Sequence, residues 1–150
     1  MDFVHLQCQS EYSVKNSLVR VSELVERIKE SGMKSVALTD DMSLFSAIKF
    51  YQKAISSGIK PIIGAKILVK NDFGIYDVIL LCQNHEGYLN LSELISKAYL
   101  NEKEAFTVCV SEKQLISHNS GLIMISSPIS SDISNLLLSN EFELAKNKIL

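Results

Sequence analysis

Short apolar runs alternate along this chain with longer amphipathic stretches, and glycines or polar turn residues separate the two. Residues 21–33 carry apolar side chains at i, i+3, i+4 and i+7 ahead of Gly32, which predicts a helix that stops at a glycine. Residues 44–58 form a second such stretch, with five apolar positions that we expect to face the core. These are Leu44, Ala47, Ile48, Tyr51 and Ile55.

The apolar runs between the helices have the length of β-strands. They cover residues 3–7, 35–39, 61–69, 75–82 and 122–126, with a weaker one at 106–110. Polar residues at 71–74 indicate a tight reversal, further helices are predicted at 89–100 and 129–138, and Ser111 with Gln114 forms a capping-box pattern. Crossovers of a dozen or more residues return a chain in the same direction, so we predict an α/β fold of parallel strands with alternating helices.

Composition limits the classes of function. At 150 residues and 47% apolar content the chain is long enough for one domain with a core, and its formal charge of −2 gives no basic field for nucleic acid. Three well-separated cysteines without CxxC spacing argue against a disulfide framework and a structural zinc site, and favour a reducing, cytoplasmic setting. No apolar run approaches the ~18 residues of a membrane span.

Functional groups in α/β proteins gather where strands end and loops begin, so polar side chains at and near the predicted strand ends are the candidates. They are Gln7, Gln9 and Asn16 after the first strand, Asp40 and Asp41 after the second, Lys66 within the third and Asp77 within the fourth. Adjacent aspartates can bind a divalent cation, but one of them can equally cap the helix that follows. His5 has no second histidine at ligand spacing, and the chain has no GxSxG, GxGxxG or Walker motif.

Four blocks of this sequence together resemble one family. FVHLQCQSEYS, GMKSVALTD, IKFYQKAISSGIKPIIGAKI and NHEGYLNLSELISKAY occur in the order and spacing of the polymerase and histidinol phosphatase (PHP) domain that opens the alpha subunit of bacterial replicative DNA polymerase III. The resemblance covers residues 3 to about 127. It implies that residues 1–150 are the N-terminal portion of a TIM-like, seven-unit β/α barrel, ending before the barrel closes and so exposing apolar edges that favour self-association.

The resemblance also assigns positions to a metal site, because metal-binding members read HLHxHS, TDH, GxE and HLxLLA across these blocks. His5 matches the leading histidine, while Gln7 and Gln9 stand at the HxH pair and Asn16 at the next ligand. Asp40 keeps the aspartate of TDH, but Asp41 stands at its histidine, Lys66 at the acid of GxE and Asp77 at the histidine of HLxLLA.

These replacements argue against a metal. Amides are weak ligands for zinc or manganese, and an ammonium group repels a dication. We therefore expect no catalytic residue, no cofactor and no metal here, with Lys66 pairing with Asp41 or Asp77 in place of the ion.

The expected role, as the resemblance implies it, is a non-catalytic scaffold within a DNA-directed DNA polymerase whose polymerase module would use Mg. Its expected partners are the other alpha-subunit modules and the proofreading exonuclease (epsilon) subunit, with DNA contacted only through the full-length protein. The alternative is an active metal-dependent phosphoesterase or 3′–5′ exonuclease using His5, Asp40, Asp41 and Asp77. An unrelated α/β binding domain is the third possibility, in which the polar positions would not cluster.

Overall fold

The computed structural model describes residues 3–71, 74–100, 107–127 and 131–149. Helices and strands alternate along most of this length. In chain order they are α1 (Val21–Glu30), β1 (Ser35–Asp41), α2 (Ala47–Ser56), β2 (Lys60–Asn71), β3 (Gly74–Cys82), α3 (His85–Leu100), β4 (Val110–Ser111), α4 (Glu112–Ser117), β5 (Leu122–Ser126), α5 (Asp132–Leu138) and α6 (Phe142–Ile149). No helix within these ranges is long and apolar enough to cross a membrane.

The α/β class is confirmed, but the sheet is mixed. The strand order is β1-β2-β3-β5, and β4 pairs with the far end of β2. β1 and β4 run parallel to β2, whereas β2–β3 and β3–β5 are antiparallel. The prediction of parallel strands is therefore wrong for β3–β5, while the antiparallel β2–β3 pair agrees with the tight reversal predicted at 71–74. The connection between Asn71 and Gly74, which pair with each other, is a reversal too short for a crossover; its two central residues lie outside the described ranges.

The predicted first strand is an extended segment rather than a regular strand. His5 forms a single parallel bridge with Val36. The backbone N–H of Ala37 donates to the carbonyl oxygen of His5 (2.8 Å), and the backbone N–H of Thr39 donates to the carbonyl oxygen of Cys8 (2.7 Å). The two acceptors are three residues apart, whereas the two donors on β1 are two residues apart, so the segment has one extra residue, as in a β-bulge. Side chains after the extra residue therefore point to the opposite face of the sheet from the one that regular alternation would give. The bulge places Cys8 against the α1–α2 core and turns the next residue toward the end of β1.

Helix α2 buries a different face from the one predicted. Its buried residues are Ala47, Phe50 and Ala54, while Ile48, Tyr51 and Ile55 are more than half exposed. Phe50 is completely buried in the cluster that α1, α2 and β1 share. The helix is therefore rotated so that Phe50 packs in the cluster shared with α1, and most of the predicted stripe faces outward.

Two apolar clusters cover the helical side of the sheet. One lies between α1, α2 and β1, and the other lies beneath α3 and α4 on β2 and β3. The opposite face of the sheet carries the smaller cluster of Ala37, Ile79 and Leu81. The helix predicted at 89–100 is present and starts earlier, at His85, and the predicted capping box of Ser111 is present. The weak strand predicted at 106–110 is reduced to β4. Residue 106 of that prediction and residues 129–130 of the predicted helix at 129–138 lie outside the described ranges.

Candidate functional site

The candidate site lies where β1 ends against the middle of its parallel neighbour β2. Asp41 is the last residue of β1 and is in register with Lys66 of β2. The Lys66 Nζ atom lies 2.8 Å from Asp41 Oδ1, and the two side chains are only 22% and 26% exposed. The prediction that Lys66 pairs with Asp41 or Asp77 is thus confirmed, and the partner is Asp41.

Asp41 has two further side-chain donors, both from the segment that follows the His5 bridge. Gln9 Nε2 donates to Asp41 Oδ1 at 2.7 Å, and Asn16 Nδ2 donates to Oδ2 in a short hydrogen bond. A carboxylate can only accept, so both amides must turn their NH2 groups toward it. The bulge that redirects Gln9 is what brings this residue to the site.

The neighbouring Asp40 is buried and has a different set of partners. Its Oδ1 accepts from the Ser10 backbone N–H (2.6 Å) and from Ser13 Oγ (2.8 Å), while Oδ2 accepts from Ser10 Oγ (2.8 Å) and from Ser46 Oγ. The alternative that an aspartate caps α2 is wrong, because the N-cap residue is Ser46 and its hydroxyl donates to Asp40. Asp40 fastens the loop after the His5 segment and the start of α2 to the end of β1.

The structure gathers only some of the predicted positions. Gln9, Asn16, Asp41 and Lys66 form one hydrogen-bonded group, defined here as the Asp41 cluster. Gln7 and His5 are exposed and lie outside it, with the His5 ring against Phe3 at 4.8 Å. The bulge redirects the residues after it, such as Gln9, whereas His5 and Gln7 stay on the opposite face.

Asp77 sits in β3 opposite Leu68 of β2. Lys66 is opposite Ile79. Asp77 therefore lies on the same face of the sheet as Lys66, two residues further along each strand. The sequence analysis missed Ser10, Ser13 and Ser46 as partners of Asp40. Their only sequence signal was the serine content of the segments on either side of β1.

The residues of the Asp41 cluster do not fit a zinc or manganese ion. Within the described ranges, no group of three or more His, Cys, Asp or Glu side chains is placed to hold a metal. Two amide NH2 groups and an ammonium group converge on Asp41, and all three present hydrogens where a metal would need lone pairs. The chemistry that this arrangement supports is charge pairing and positioning.

Comparison with solved structures defines the fold class. A structure described as a metal-dependent phosphoesterase from Bifidobacterium adolescentis matches 66% of this chain and 34% of its own, with a TM-score of 0.55 and 13% identity. An amidohydrolase from Chromobacterium violaceum, solved with sulfate and no metal, matches the same shares with a TM-score of 0.53 and 15% identity. This chain thus shares its fold with about a third of each of these two structures.

The family is defined more narrowly by sequence. The model of the PHP domain matches residues 5–150, and the chain belongs to the PHP domain family. Its relatives include DNA polymerase III alpha subunits from Borreliella burgdorferi (40% identity, 99% of this chain), Pseudomonas fluorescens (39%, 83%) and Vibrio cholerae (37%, 91%). The chain spans only 14%, 11% and 12% of the lengths of these three relatives.

Proposed function

We propose that this PHP domain is part of a DNA polymerase III alpha subunit and serves chromosomal replication in the cytoplasm as a metal-free structural scaffold. The similarity to alpha subunits supports the first half of this proposal. The second half rests on one observation, which is that the Asp41 carboxylate is held by Lys66, Gln9 and Asn16.

Charge balance carries the argument for a scaffold. Lys66 neutralises Asp41 with a cation that is covalently part of β2, so the pair has no net charge left to attract a dication. A metal ion would have to displace the ammonium group of Lys66 from Asp41. This costs free energy, because the ion pair is lost and the ammonium group is left partly buried without its partner. DNA synthesis would then belong to the polymerase module of the full-length protein, with its Mg ions, and this domain would contribute no catalytic group.

We further propose that the domain binds the other modules of the alpha subunit and the proofreading exonuclease subunit. The similarity to DNA polymerase III alpha subunits supports this assignment. A domain without metal chemistry has assembly and stabilisation as its remaining roles within a polymerase.

The metal-free state is tested by elemental analysis of the purified full-length protein, with phosphodiester hydrolysis measured alongside. We expect zinc and manganese far below one ion per chain in the wild type and in an Asp41→Asn variant, and no hydrolysis in either. A stoichiometric metal that is lost together with hydrolysis in Asp41→Asn would favour the active phosphoesterase or 3′–5′ exonuclease instead.

Docking is tested by capture of the exonuclease subunit with the full-length alpha subunit and with a version lacking residues 1–150. Capture is expected only with the full-length protein. Primer extension by both proteins reports separately on the polymerase. Equal capture by the two versions would exclude this domain as the docking site.

A further inference from the structure

An apolar groove runs between α2 and the start of α3, on the side of the domain away from the contact between α1 and α2. Its volume is about 590 Å³. One wall is the outer face of α2, the floor is formed by β2 and the end of β3, and the other wall is the turn into α3. The residues that shape this α2–α3 groove are Ile48, Tyr51, Pro61, Ile63, Asn84 and Tyr88.

The exposed face of α2 is too apolar and too long for a solvated surface or a small ligand. Ile48 is 70% exposed, Tyr51 53% and Ile55 54%, and Phe45 in the turn before the helix is 80% exposed. From Ile48 to Ile55 this face extends for about 10 Å along the helix axis, and Phe45 lengthens it beyond the start of the helix. Continuous apolar surface of this kind on a folded domain indicates a site where another polypeptide packs.

The spacing of the exposed side chains selects a helix as the occupant. Ile48, Tyr51 and Ile55 follow one another at intervals of three and four residues, which is the seam that one helix offers to another. A strand has little edge to add to at the floor, because β2 pairs with β1 from Lys60 onward and with β3 from Gly64 onward, which leaves only residues 60–63 of the floor paired on one side. Among the residues that the structure describes, no charged side chain lines the groove, so the facing helix must present apolar side chains with neutral polar groups at the rim.

We propose that the α2–α3 groove is the docking site of an amphipathic helix from a later part of the same polypeptide. This inference rests on the proposed function, since the relatives carry this domain as only 11–14% of a much longer chain. A helix tethered to the domain meets the groove at an effective concentration far above that of a separate molecule, so a modest apolar contact is enough to keep it bound. The domain is thereby held against the rest of the parent protein through α2.

Photo-crosslinking of the full-length protein tests this docking. The photoreactive residue p-benzoylphenylalanine replaces Tyr51, whose aromatic side chain is half exposed and tolerates a larger ring. The matched control places the same residue at Arg27, an exposed position of α1. After irradiation, mass spectrometry identifies the crosslinked peptides and the mass of each product. Primer extension is measured in parallel, so a parent without polymerase activity would refute the proposed function and leave the crosslinks readable.

The expected product joins position 51 to a peptide beyond residue 150 of the same molecule, at monomer mass, and the Arg27 control does not form it. In an Ile48→Asp background its yield should fall about tenfold, because a carboxylate in an apolar contact weakens that contact. Dimeric products would assign the groove to a second copy, and products with another protein would assign it to a separate partner. Either result, or a crosslink yield no higher than that of the Arg27 control, overturns the proposal.

Discussion

The ion pair between Lys66 and Asp41 should contribute measurably to stability, which a double-mutant cycle can isolate. Unit charges 2.8 Å apart near a protein surface attract one another by about 6 kcal/mol at an effective dielectric constant of about 20. Desolvation of two side chains that are three-quarters buried cancels most of this attraction. We therefore expect a coupling free energy of about 2 kcal/mol, between the values typical of exposed and of fully buried pairs.

The assay is urea denaturation of the wild type, Lys66→Met, Asp41→Asn and the double variant. Lys66→Met alone should destabilise by about 2 kcal/mol and lower the Tm by about 4–8 °C, while the double variant should lose about 2 kcal/mol less than the sum of the single losses. The control cycle uses Lys53 and Glu26, which are equally close at 2.8 Å but far more exposed, and should show a much smaller coupling. Equal coupling in the two cycles would refute the view that Lys66 compensates a buried charge.

Three further predictions concern single side chains. Asp40→Asn replaces an acceptor of four hydrogen bonds with a group that also donates, and should cost about 2–4 kcal/mol in denaturant unfolding; a loss below about 1 kcal/mol would contradict its anchoring role. Gly87→Ala would bring a Cβ atom to 1.9 Å from the Gly121 carbonyl oxygen, so it should lower the Tm strongly while Ser96→Ala in the same helix leaves it unchanged. Burial raises the pKa of Tyr76 to about 12. Its contribution to stability is therefore complete below the unfolded pKa near 10 and is lost as the pH rises toward 12, and Tyr76→Phe should flatten this part of the stability curve.

Hydrophobic periodicity was a sound guide to the elements but not to the buried face of α2. The apolar residues of the helix cover about half of its circumference, with Phe50 and two alanines at one edge of this arc and Ile48, Tyr51 and Ile55 at the other. A pattern of this kind cannot say which side meets the protein. Packing against α1 decides it, and that contact lies outside the reach of local sequence.

The partners of the two aspartates also depend on contacts that local patterns do not encode. Ser10 and Gln9 are separated from Asp40 and Asp41 by about thirty residues, and the bulge opposite β1 decides which of them faces which carboxylate. By contrast, the aligned motifs alone predict that Lys66 pairs with Asp41 or Asp77, and the register of β1 with β2 selects Asp41. The same alignment placed Gln7 beside them, which the bulge prevents.

The two adjacent aspartates are each compensated by groups of this chain itself. Alternation along β1 turns Asp40 toward the helices, where neutral hydroxyl and amide donors satisfy it, and turns Asp41 toward Lys66 on the other face. Each carboxylate is thus compensated on its own side of the sheet. Restoring a metal would require lone pairs in place of donors at Lys66, Gln9 and Asn16, which lie on two separate segments of the chain. A single reversion such as Lys66→Glu would therefore leave two carboxylates facing each other without an ion, and should destabilise the domain rather than revive the site.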